Sequence, residues 1–444
     1  MADTIPQVKS TKRERMAWYL YDFGNSAYAS VVLLAVYSAY FKNQVVGGAE
    51  GSRLWGLSIS VAMILVAIAA PIMGAIADYS GAKKKFLLFF TALSVVFTAL
   101  LFFTQKGTIA IAILFFLLSE LGYRAAQVFY DALLPEIAAP EETGRIAGTG
   151  WAIGSAGGIV ILLLILPPIL MTDSDLLVVR GTLVVTAIFF ALASIPIFRW
   201  LKERAQPQAL PAGENYISIA FKQLSGTIKA ARGFKEFLKF MLAYLIYNEG
   251  VIIALDFAAI LGAVLFGLEQ TGLIIFFIVV QATNVVGALL FGNLQDKLGG
   301  KKALTLSIFL MAACIGAMYF AQNQTHFFII GAFIGAAMAG VQSVSRAMVA
   351  TFSPQGKSGE FFGFFALTGR TSSFIGPAIF GWLAAELTIW YQSQGQAALV
   401  AEQSGHRLAL LSIAVFLFAG WALMLRVNET KAREMATLST NSAE

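Results

Sequence analysis

Four polar residues lie within one long apolar stretch of the chain: Glu120, Arg124, Gln127 and Asp131, at spacings of four, three and four. On an α-helix this spacing places all four side chains on one face. Glu120 can pair with Arg124 one turn away, and a guanidinium can bind a ligand carboxylate through two parallel hydrogen bonds. The stripe therefore predicts either a surface that binds solute or protons, or a structural ion pair, and the residues alone favour neither.

A second apolar stretch carries Asn248, Glu249 and Asp256. Glu249 and Asp256 are seven positions apart and share a helix face, and Asp256 lies near the middle of the stretch without a basic residue in its own helix. Removal from water favours the neutral form of a carboxyl group. We therefore predict that Asp256 takes up and releases a coupling proton; the alternative is a neutral or arginine-paired structural acid.

Other polar residues interrupt further apolar stretches and are candidates for the same binding surface. Acids together with arginines suit a small zwitterionic or anionic solute, because arginine presents a planar fork to a carboxylate. The predicted substrate or coupling residues are Asp22, Asn25, Glu120, Arg124, Gln127, Asn248, Glu249, Asp256, Gln281, Asn284, Arg346 and Arg370. Asp22 and Asp131 lie near the ends of their stretches, where they could equally belong to a gate.

One polar motif occurs twice. The segments that begin at Gly74 and Gly292 both read G-x-x-x-D-x-x-G-x-K-K, 218 positions apart in a chain of 444 residues. This repeat indicates that the second half of the chain duplicates the first. We expect Asp78 and Asp296 to hold a gate shut through the N-terminal dipole of a neighbouring helix. The predicted gating residues are Gly74, Asp78, Gly81, Lys83, Lys84, Asp131, Gly292, Asp296, Gly299, Lys301 and Lys302.

Membrane-spanning helices must position these residues, because the chain is 58% hydrophobic and only 13% charged. A bilayer crossing takes about 20 helical residues. Lipid offers no partner to a free backbone N–H or C=O group, so each crossing must be helical. We predict an all-α integral membrane protein with twelve transmembrane helices in two pseudo-symmetric six-helix bundles. The apolar runs are 18–42, 54–77, 86–105, 108–131, 146–170, 178–200, 239–266, 271–294, 303–321, 327–350, 361–386 and 406–427.

The placement of positive charge predicts the topology. Most Lys and Arg residues fall in the loops on the side of the N-terminus, so both termini are predicted to be cytoplasmic. This placement, in loops between membrane helices, also excludes nucleic acid as the reason for the sequence pI of 9.2. The single cysteine, Cys314, allows no disulfide within the chain and no cysteine-based metal site, and we expect neither a metal nor a cofactor.

The longest polar interruption, 201–238, predicts the boundary between the two bundles. Apolar residues at helical spacing within it, interleaved with lysines, predict a basic amphipathic helix on the inner leaflet, with a loosely ordered linker as the alternative. The predicted organisation is a cytoplasmic tail, a first bundle, this cytoplasmic linker, a second bundle and a second cytoplasmic tail, at 1–15, 16–200, 201–238, 239–428 and 429–444.

The chain resembles the major facilitator superfamily, through its six-plus-six helices and the paired motif after helices two and eight. Trp18-Tyr-Leu-Tyr21-Asp22-Phe-Gly24-Asn25 and Phe129-Tyr-Asp131-Ala-Leu-Leu-Pro135-Glu136 are similar to the branch of vacuolar amino-acid effluxer-like proteins, here in a bacterial type without long inserted loops. The resemblance implies secondary active transport of an amino acid or related small metabolite by alternating access. It also implies a location in the cell membrane, or in the vacuolar membrane of a eukaryote.

Two other classes of function remain open from the residues. A receptor or scaffold with a transporter fold would need no coupling acids. A membrane-embedded transferase that uses Asp22 and Asp131 would leave the duplication unexplained, and no hydrolase or nucleotide-binding motif occurs, so we expect no enzyme. The expected partners are a small solute, a coupling ion, for which a proton is favoured, and the lipid bilayer. We expect the protein to be a monomer.

Overall fold

The computed structural model of the chain describes residues 10–138, 142–204, 213–353 and 358–441, together with Pro207 and Leu210. Most of these residues are helical, and no β-strand occurs among them. The α-helices of the first half are α1 (Lys12–Tyr28), α2 (Tyr37–Tyr40), α3 (Gly48–Ser80), α4 (Lys83–Leu100), α5 (Ile109–Ala132), α6 (Thr143–Met171), α7 (Leu176–Trp200) and α8 (Tyr216–Arg232). Those of the second half are α9 (Lys235–Asp256), α10 (Ala258–Phe266), α11 (Gln270–Leu298), α12 (Gly300–Phe320), α13 (Gln324–Phe352), α14 (Ser358–Thr371), α15 (Ile375–Ser393), α16 (Ala398–Leu425) and α17 (Glu429–Asn441).

Within the described ranges, eleven helical segments are long and apolar enough to cross a membrane. Each coincides with one of the twelve predicted runs, and the remaining run, 361–386, is occupied by α14 and α15. The chain is therefore a multi-pass membrane protein, and the predicted all-α membrane fold is confirmed. The agreement follows from the lack of hydrogen-bonding partners in lipid, which leaves a long apolar segment no alternative to a helix.

Three of the predicted runs are interrupted rather than regular. The eleventh is broken between α14 and α15, and the seventh between α9 and α10 at Phe257. The first continues beyond α1 through two π-helical segments, Ala29–Ala35 and Phe41–Val46. Such interruptions free backbone groups, which at membrane depth must be satisfied by protein or face a cavity. At these interruptions, side chains can supply the hydrogen-bond partners that the backbone has lost.

The chain divides into two compact units. The first consists of residues 1–37 and 68–222. In it, α1 packs against α6 and α7, and α4 packs against α5 and α7. Its core at the end that carries the first copy of the motif includes Trp18, Tyr21, Phe129 and Phe190, all nearly inaccessible to solvent. The α8 helix lies in the segment for which an amphipathic helix is predicted, and its Ile219 packs on Ala75 of α3.

The second unit consists of residues 38–67 and 223–444. Its helices α11, α12 and α13 pack together, and α16 packs against α9, α12 and α15. The segment 38–67, which precedes most of the first unit in the chain, belongs to this second unit and includes the first twenty residues of α3. Several buried contacts described below join this segment to α9, α15 and α16.

The predicted topology can be tested with single cysteines. In a Cys314→Ala background, we expect a cysteine at Glu269, in the exposed turn between α10 and α11, to react with an impermeant thiol reagent in intact cells. A cysteine at Lys222, whose side chain is 72% exposed, should react only after the membrane is opened, because the positive-inside asymmetry predicts that α8 is cytoplasmic. Labelling at position 222 but not at position 269 in intact cells would contradict the predicted topology.

Candidate functional site

Aromatic rings join α1 to α5 in the first unit. Trp18 stacks on Tyr130 at a centroid distance of 4.4 Å, and Tyr21 stacks on the same ring at 5.0 Å. Further along α1, Tyr28 stacks on Tyr123 at 4.5 Å. The two tyrosines of α5 are seven positions apart and therefore on one helix face, as are Tyr21 and Tyr28 of α1. These rings fix the distance and rotation of the two helices that carry the predicted site residues.

Three predicted site residues surround the tyrosines of α5. Asp22 is half-buried and interacts electrostatically with both Tyr123 and Tyr130. Gln127 hydrogen-bonds to Tyr123, and the exposed carboxylate of Asp131 interacts with Tyr130. The structure thus brings together two acids and an amide that lie on α1 and α5, more than 100 positions apart in the chain.

The ion pair that the spacing on α5 predicts is present. The Nε atom of Arg124 donates to Oε1 of Glu120 at 2.8 Å, and its guanidinium lies 5.1 Å from the ring centroid of Tyr123. The Glu120 side chain is 1% exposed and that of Arg124 30%. The second carboxylate oxygen of Glu120, Oε2, is buried without a hydrogen-bond partner, as is Oδ1 of Asn25 on α1. Glu120 also interacts with the hydroxyl of Tyr28, so the pair connects α5 to α1.

In the second unit, two predicted residues of α9 form hydrogen bonds to the break between α14 and α15. Asn248 donates through Nδ2 to the hydroxyl of Ser372 at 2.7 Å. The next residue, Glu249, accepts through Oε2 the backbone N–H of Gly376 at 2.7 Å and that of Ile375. A β-carbon at position 376 would lie 2.7 Å from that oxygen, so glycine is needed for the close approach. Asn248 and Glu249 thus supply hydrogen-bond partners to residues at the break between α14 and α15.

The other predicted residues of the second unit are more dispersed. Asp256 is 7% exposed and is the last residue of α9, and its carbonyl accepts the indole N–H of Trp55 at 2.9 Å. Asn284 of α11 donates to the carbonyl of Gly335 at 3.3 Å, and the neighbouring Gln281 is half-buried. Arg346 of α13 is exposed, and the side chain of Arg370 lies outside the described part of the structure. Their roles in binding stay predictions.

Beside each copy of the repeated motif, an acid and a lysine form hydrogen bonds to the ends of two adjacent helices. We call this arrangement the clasp. Glu203, after α7, accepts the backbone N–H groups of Lys83 at 2.5 Å and Lys84 at 3.3 Å, at the start of α4. The Nζ atom of Lys84 in turn donates to the carbonyls of Phe198 and Leu201, at the end of α7. The acid thus accepts free N–H groups at the start of α4, and the lysine donates to free carbonyl groups at the end of the adjacent α7.

The second unit repeats this arrangement. Glu429, after α16, accepts the backbone N–H groups of Gly300 at 3.2 Å and Lys301 at 2.8 Å, at the start of α12. The Nζ atom of Lys301 donates to the carbonyl of Leu425, the last residue of α16. Glu203 and Glu429 were missed by the sequence analysis. The signal that would find them is an acid within four residues of the last apolar run of each half.

The remaining motif residues have more varied positions. Gly81 and Gly299 have φ angles of 56° and 87°, which explains the glycine in the motif before each lysine pair. Lys83 forms an ion pair with Glu136 at 2.7 Å. Gly74 and Gly292 lie within α3 and α11, Asp296 and Lys302 are exposed, and the side chain of Asp78 is outside the described residues. The gate role of Asp78 and Asp296 therefore stays a prediction.

The clasp predicts a measurable loss of stability. Glu429→Ala leaves two backbone N–H groups of α12 without their acceptor, and loss of a helix cap costs about 1–2 kcal/mol. We expect a lower unfolding temperature of the purified protein in detergent. Glu434→Ala, which removes an exposed carboxylate of the same helix, α17, is the matched control. Equal shifts for the two variants would contradict the clasp.

At the end of the second unit opposite the clasp, polar and charged residues join the segment 38–67 to α15 and α16. Lys42, whose side chain is 4% exposed, pairs with Glu402. His406, fully buried, contacts the hydroxyl of Ser52 through Nε2 at 2.7 Å. More exposed, Arg53 pairs with Glu386 at 2.6 Å. We call these six residues the opposite-end cluster, since Glu402 is 23 residues, or about 35 Å of helix, from Leu425.

The sequence analysis did not identify this cluster. Its members lie at the outer ends of the predicted runs or in the loops beside them, where single charged residues are common. Lys42 and Glu402 are 360 positions apart, so no local spacing relates them. Breaking a buried ion pair leaves an uncompensated charge, which makes Lys42 and Glu402 the energetically important members.

Known proteins share this architecture. A family model described as "Vacuole effluxer Atg22 like" matches residues 54–437. The MFS-type transporter YxiO of Bacillus subtilis (strain 168) is 30% identical over 389 residues, which cover 85% of this chain and 89% of that protein. Autophagy-related protein 22 of Yarrowia lipolytica (strain CLIB 122 / E 150) is 23% identical over 270 residues, covering 54% of this chain and 45% of the fungal protein.

Solved structures agree at the level of the fold. A bacterial homologue of the human lysosomal transporter Spinster superposes with a TM-score of 0.72 at 12% identity, covering 97% of this chain and 99% of the other. A D-xylose–proton symporter gives a TM-score of 0.62 at 13% identity, with 95% and 98% covered. The family match, the bacterial relative and this fold, together with the doubled motif, lead to one conclusion: the chain belongs to the Atg22-like family of major facilitator superfamily transporters.

Proposed function

We propose that the chain is a secondary active transporter of a small polar solute, with an amino acid or a related metabolite as the favoured class. The observation that carries the proposal is the Glu120–Arg124 ion pair within an apolar helix, in which the Glu120 side chain is 1% exposed and that of Arg124 is 30% exposed. Charged groups within membrane helices are costly, and mark solute or ion pathways. The acids and tyrosines of α1 and α5 around the pair supply hydrogen-bonding groups for a zwitterion.

Coupling to an ion, for which a proton is favoured, is part of the proposal. The acids of α9 are the candidates, and the sequence favours Asp256 among them. The name of one structural neighbour, the D-xylose–proton symporter, includes a proton, although at 13% identity this likeness shows the fold alone. We further propose that the protein works as a monomer in the cell membrane with both termini in the cytoplasm, and that the opposite-end cluster and the two clasps take part in alternating access.

Reconstitution tests the proposal directly. Proteoliposomes that contain the protein should accumulate labelled amino acids when a proton gradient is imposed, and should accumulate much less with the gradient collapsed. A sodium gradient of equal size, and liposomes with a Glu120→Gln/Arg124→Gln variant, are the controls. A receptor or scaffold would give no uptake under any gradient, and a transferase would convert the labelled compound rather than accumulate it unchanged.

A further inference from the structure

We infer that Glu249 carries the coupling proton, and that its ionised form holds the N-terminal end of α15 in place. The inference rests on the proposed function and makes it more specific, since the sequence favours Asp256 for this role. It begins from the two oxygens of one carboxylate, which have different surroundings. Oε2 accepts the N–H groups of Gly376 and Ile375, whereas Oε1 is buried without a hydrogen-bond partner.

The unpartnered oxygen is costly while the carboxylate is charged. The Glu249 residue is 1% exposed, and an unsatisfied buried oxygen costs about 1–3 kcal/mol, more when it is charged. A proton on Oε1 removes the charge, and a neutral carboxyl group costs less to bury than a charged one. A metal cation would need several oxygen ligands, and the described residues contain no group of three His, Cys, Asp or Glu side chains that could hold one. A proton is therefore the occupant that the site fits.

No described ion pair competes for Glu249. The titratable or charged groups on its own helix and on α10, α13, α14, α15, α16 and α17, which pack around it, are Lys235, Glu236, Lys239, Tyr244, Tyr247, Asp256, His326, Arg346, Glu360, Arg370, Glu386, Tyr391, Glu402, His406, Arg407, Glu429, Lys431, Arg433 and Glu434. Glu386 and Arg407 have partners elsewhere, in Arg53 and in the carbonyls of Tyr319 and Ala321. His406 is bonded to Ser52, and Arg370 has a side chain outside the described residues. Asp256 is not free either, since it takes part in interactions of its own.

The helix that Glu249 holds gives the proton a mechanical consequence. The 19-residue α15 begins directly after the break, and its first N–H groups carry partial positive charge toward the carboxylate. When a proton binds Oε1, the charge on Oε2 disappears and its hydrogen bonds to Gly376 and Ile375 weaken. When the proton leaves, the full charge returns and the end of α15 is held again. Protonation thus controls the break between α14 and α15.

The proton site can be tested without a transported solute. In infrared difference spectra between acidic and alkaline buffer, the wild-type protein should show the carbonyl band of a buried carboxyl group that gains a proton on acidification. We expect Glu249→Gln to lose this band and Asp256→Asn, the matched change on the same helix, to keep it. Persistence of the band in Glu249→Gln would overturn the inference, and its loss in Asp256→Asn alone would return the role to Asp256.

The mechanical part has its own readout. A cysteine at Ser373, which is 6% exposed and lies in the break, should react with a thiol reagent faster at acidic pH in a Cys314→Ala background, after correction for ionisation of the cysteine thiol. Glu249→Gln should react fast at every pH, and Glu249→Asp should retain the pH dependence. A rate independent of pH with Glu249 present would overturn control by protonation. Neither readout needs uptake, so a failed uptake assay would count against the proposed function alone.

Discussion

Glu402→Lys should open the opposite-end cluster and abolish transport. The change places two positive charges where Lys42 and Glu402 now pair, and breaking such a buried pair costs about 3–5 kcal/mol. Ser58, which is 4% exposed within the segment 38–67, provides the position for a reporter cysteine in a Cys314→Ala background. We expect its labelling by an impermeant reagent to rise by at least about tenfold, because each 1.4 kcal/mol changes an equilibrium constant tenfold.

Two controls separate this effect from general damage. The reversed pair, Lys42→Glu with Glu402→Lys, restores the attraction and should return both labelling and transport toward wild type. Glu386→Lys disrupts the Arg53–Glu386 pair, whose side chains are 26% and 45% exposed, and a pair this exposed contributes only about 0–1 kcal/mol. If the reversed pair labels as fast as Glu402→Lys, the ion pair does not hold this end of the unit together.

Glu120→Gln should destabilise the first unit more than the change of one atom suggests. Arg124 would keep its charge, because a guanidinium does not release its proton in proteins, while its partner at 2.8 Å would become an uncharged amide. Removing one member of a buried pair costs about 3–5 kcal/mol, and the 30% exposure of Arg124 places this case at the lower limit. We expect a fall in the unfolding temperature in detergent, together with loss of solute binding.

The double variant Glu120→Gln/Arg124→Gln distinguishes a structural pair from a functional one. With both charges removed, no uncompensated charge remains, so the unfolding temperature should recover most of the loss. Solute binding should not recover, because the groups that recognise the solute are absent. Full recovery of binding together with stability would show that the pair serves structure alone.

The sequence predicts well what depends on neighbours in the chain. The twelve apolar runs and the stripe on α5 follow from hydropathy and from helical spacing, and the Glu120–Arg124 contact is one turn long. The breaks at Phe257 and between α14 and α15 were not predicted, because the apolar character continues through both. Hydropathy records the preference of side chains for lipid, but not whether each backbone N–H has an acceptor.

Contacts between distant segments could not be predicted from a single chain. The Lys42–Glu402 pair and the bond between Ser52 and His406 depend on how the segment 38–67 packs against α16. Glu203 looked like one of several charges in a polar interruption, and only the packing of α7 beside α4 shows what it binds. In each case the partner lies at least 100 positions away, where periodicity carries no information.

The duplicated clasp has a consequence for the origin of the molecule. Glu203 and Lys84 both belong to the first half of the chain, and Glu429 and Lys301 both belong to the second. In each half, an acid of that same half therefore caps the start of the third membrane helix, which is α4 in the first half and α12 in the second. An ancestral gene that encoded six helices would already have carried this cap, and fusion of two copies would have preserved it without a new contact. The opposite-end cluster, by contrast, joins the segment 38–67 of the first half of the chain to α15 and α16 of the second half.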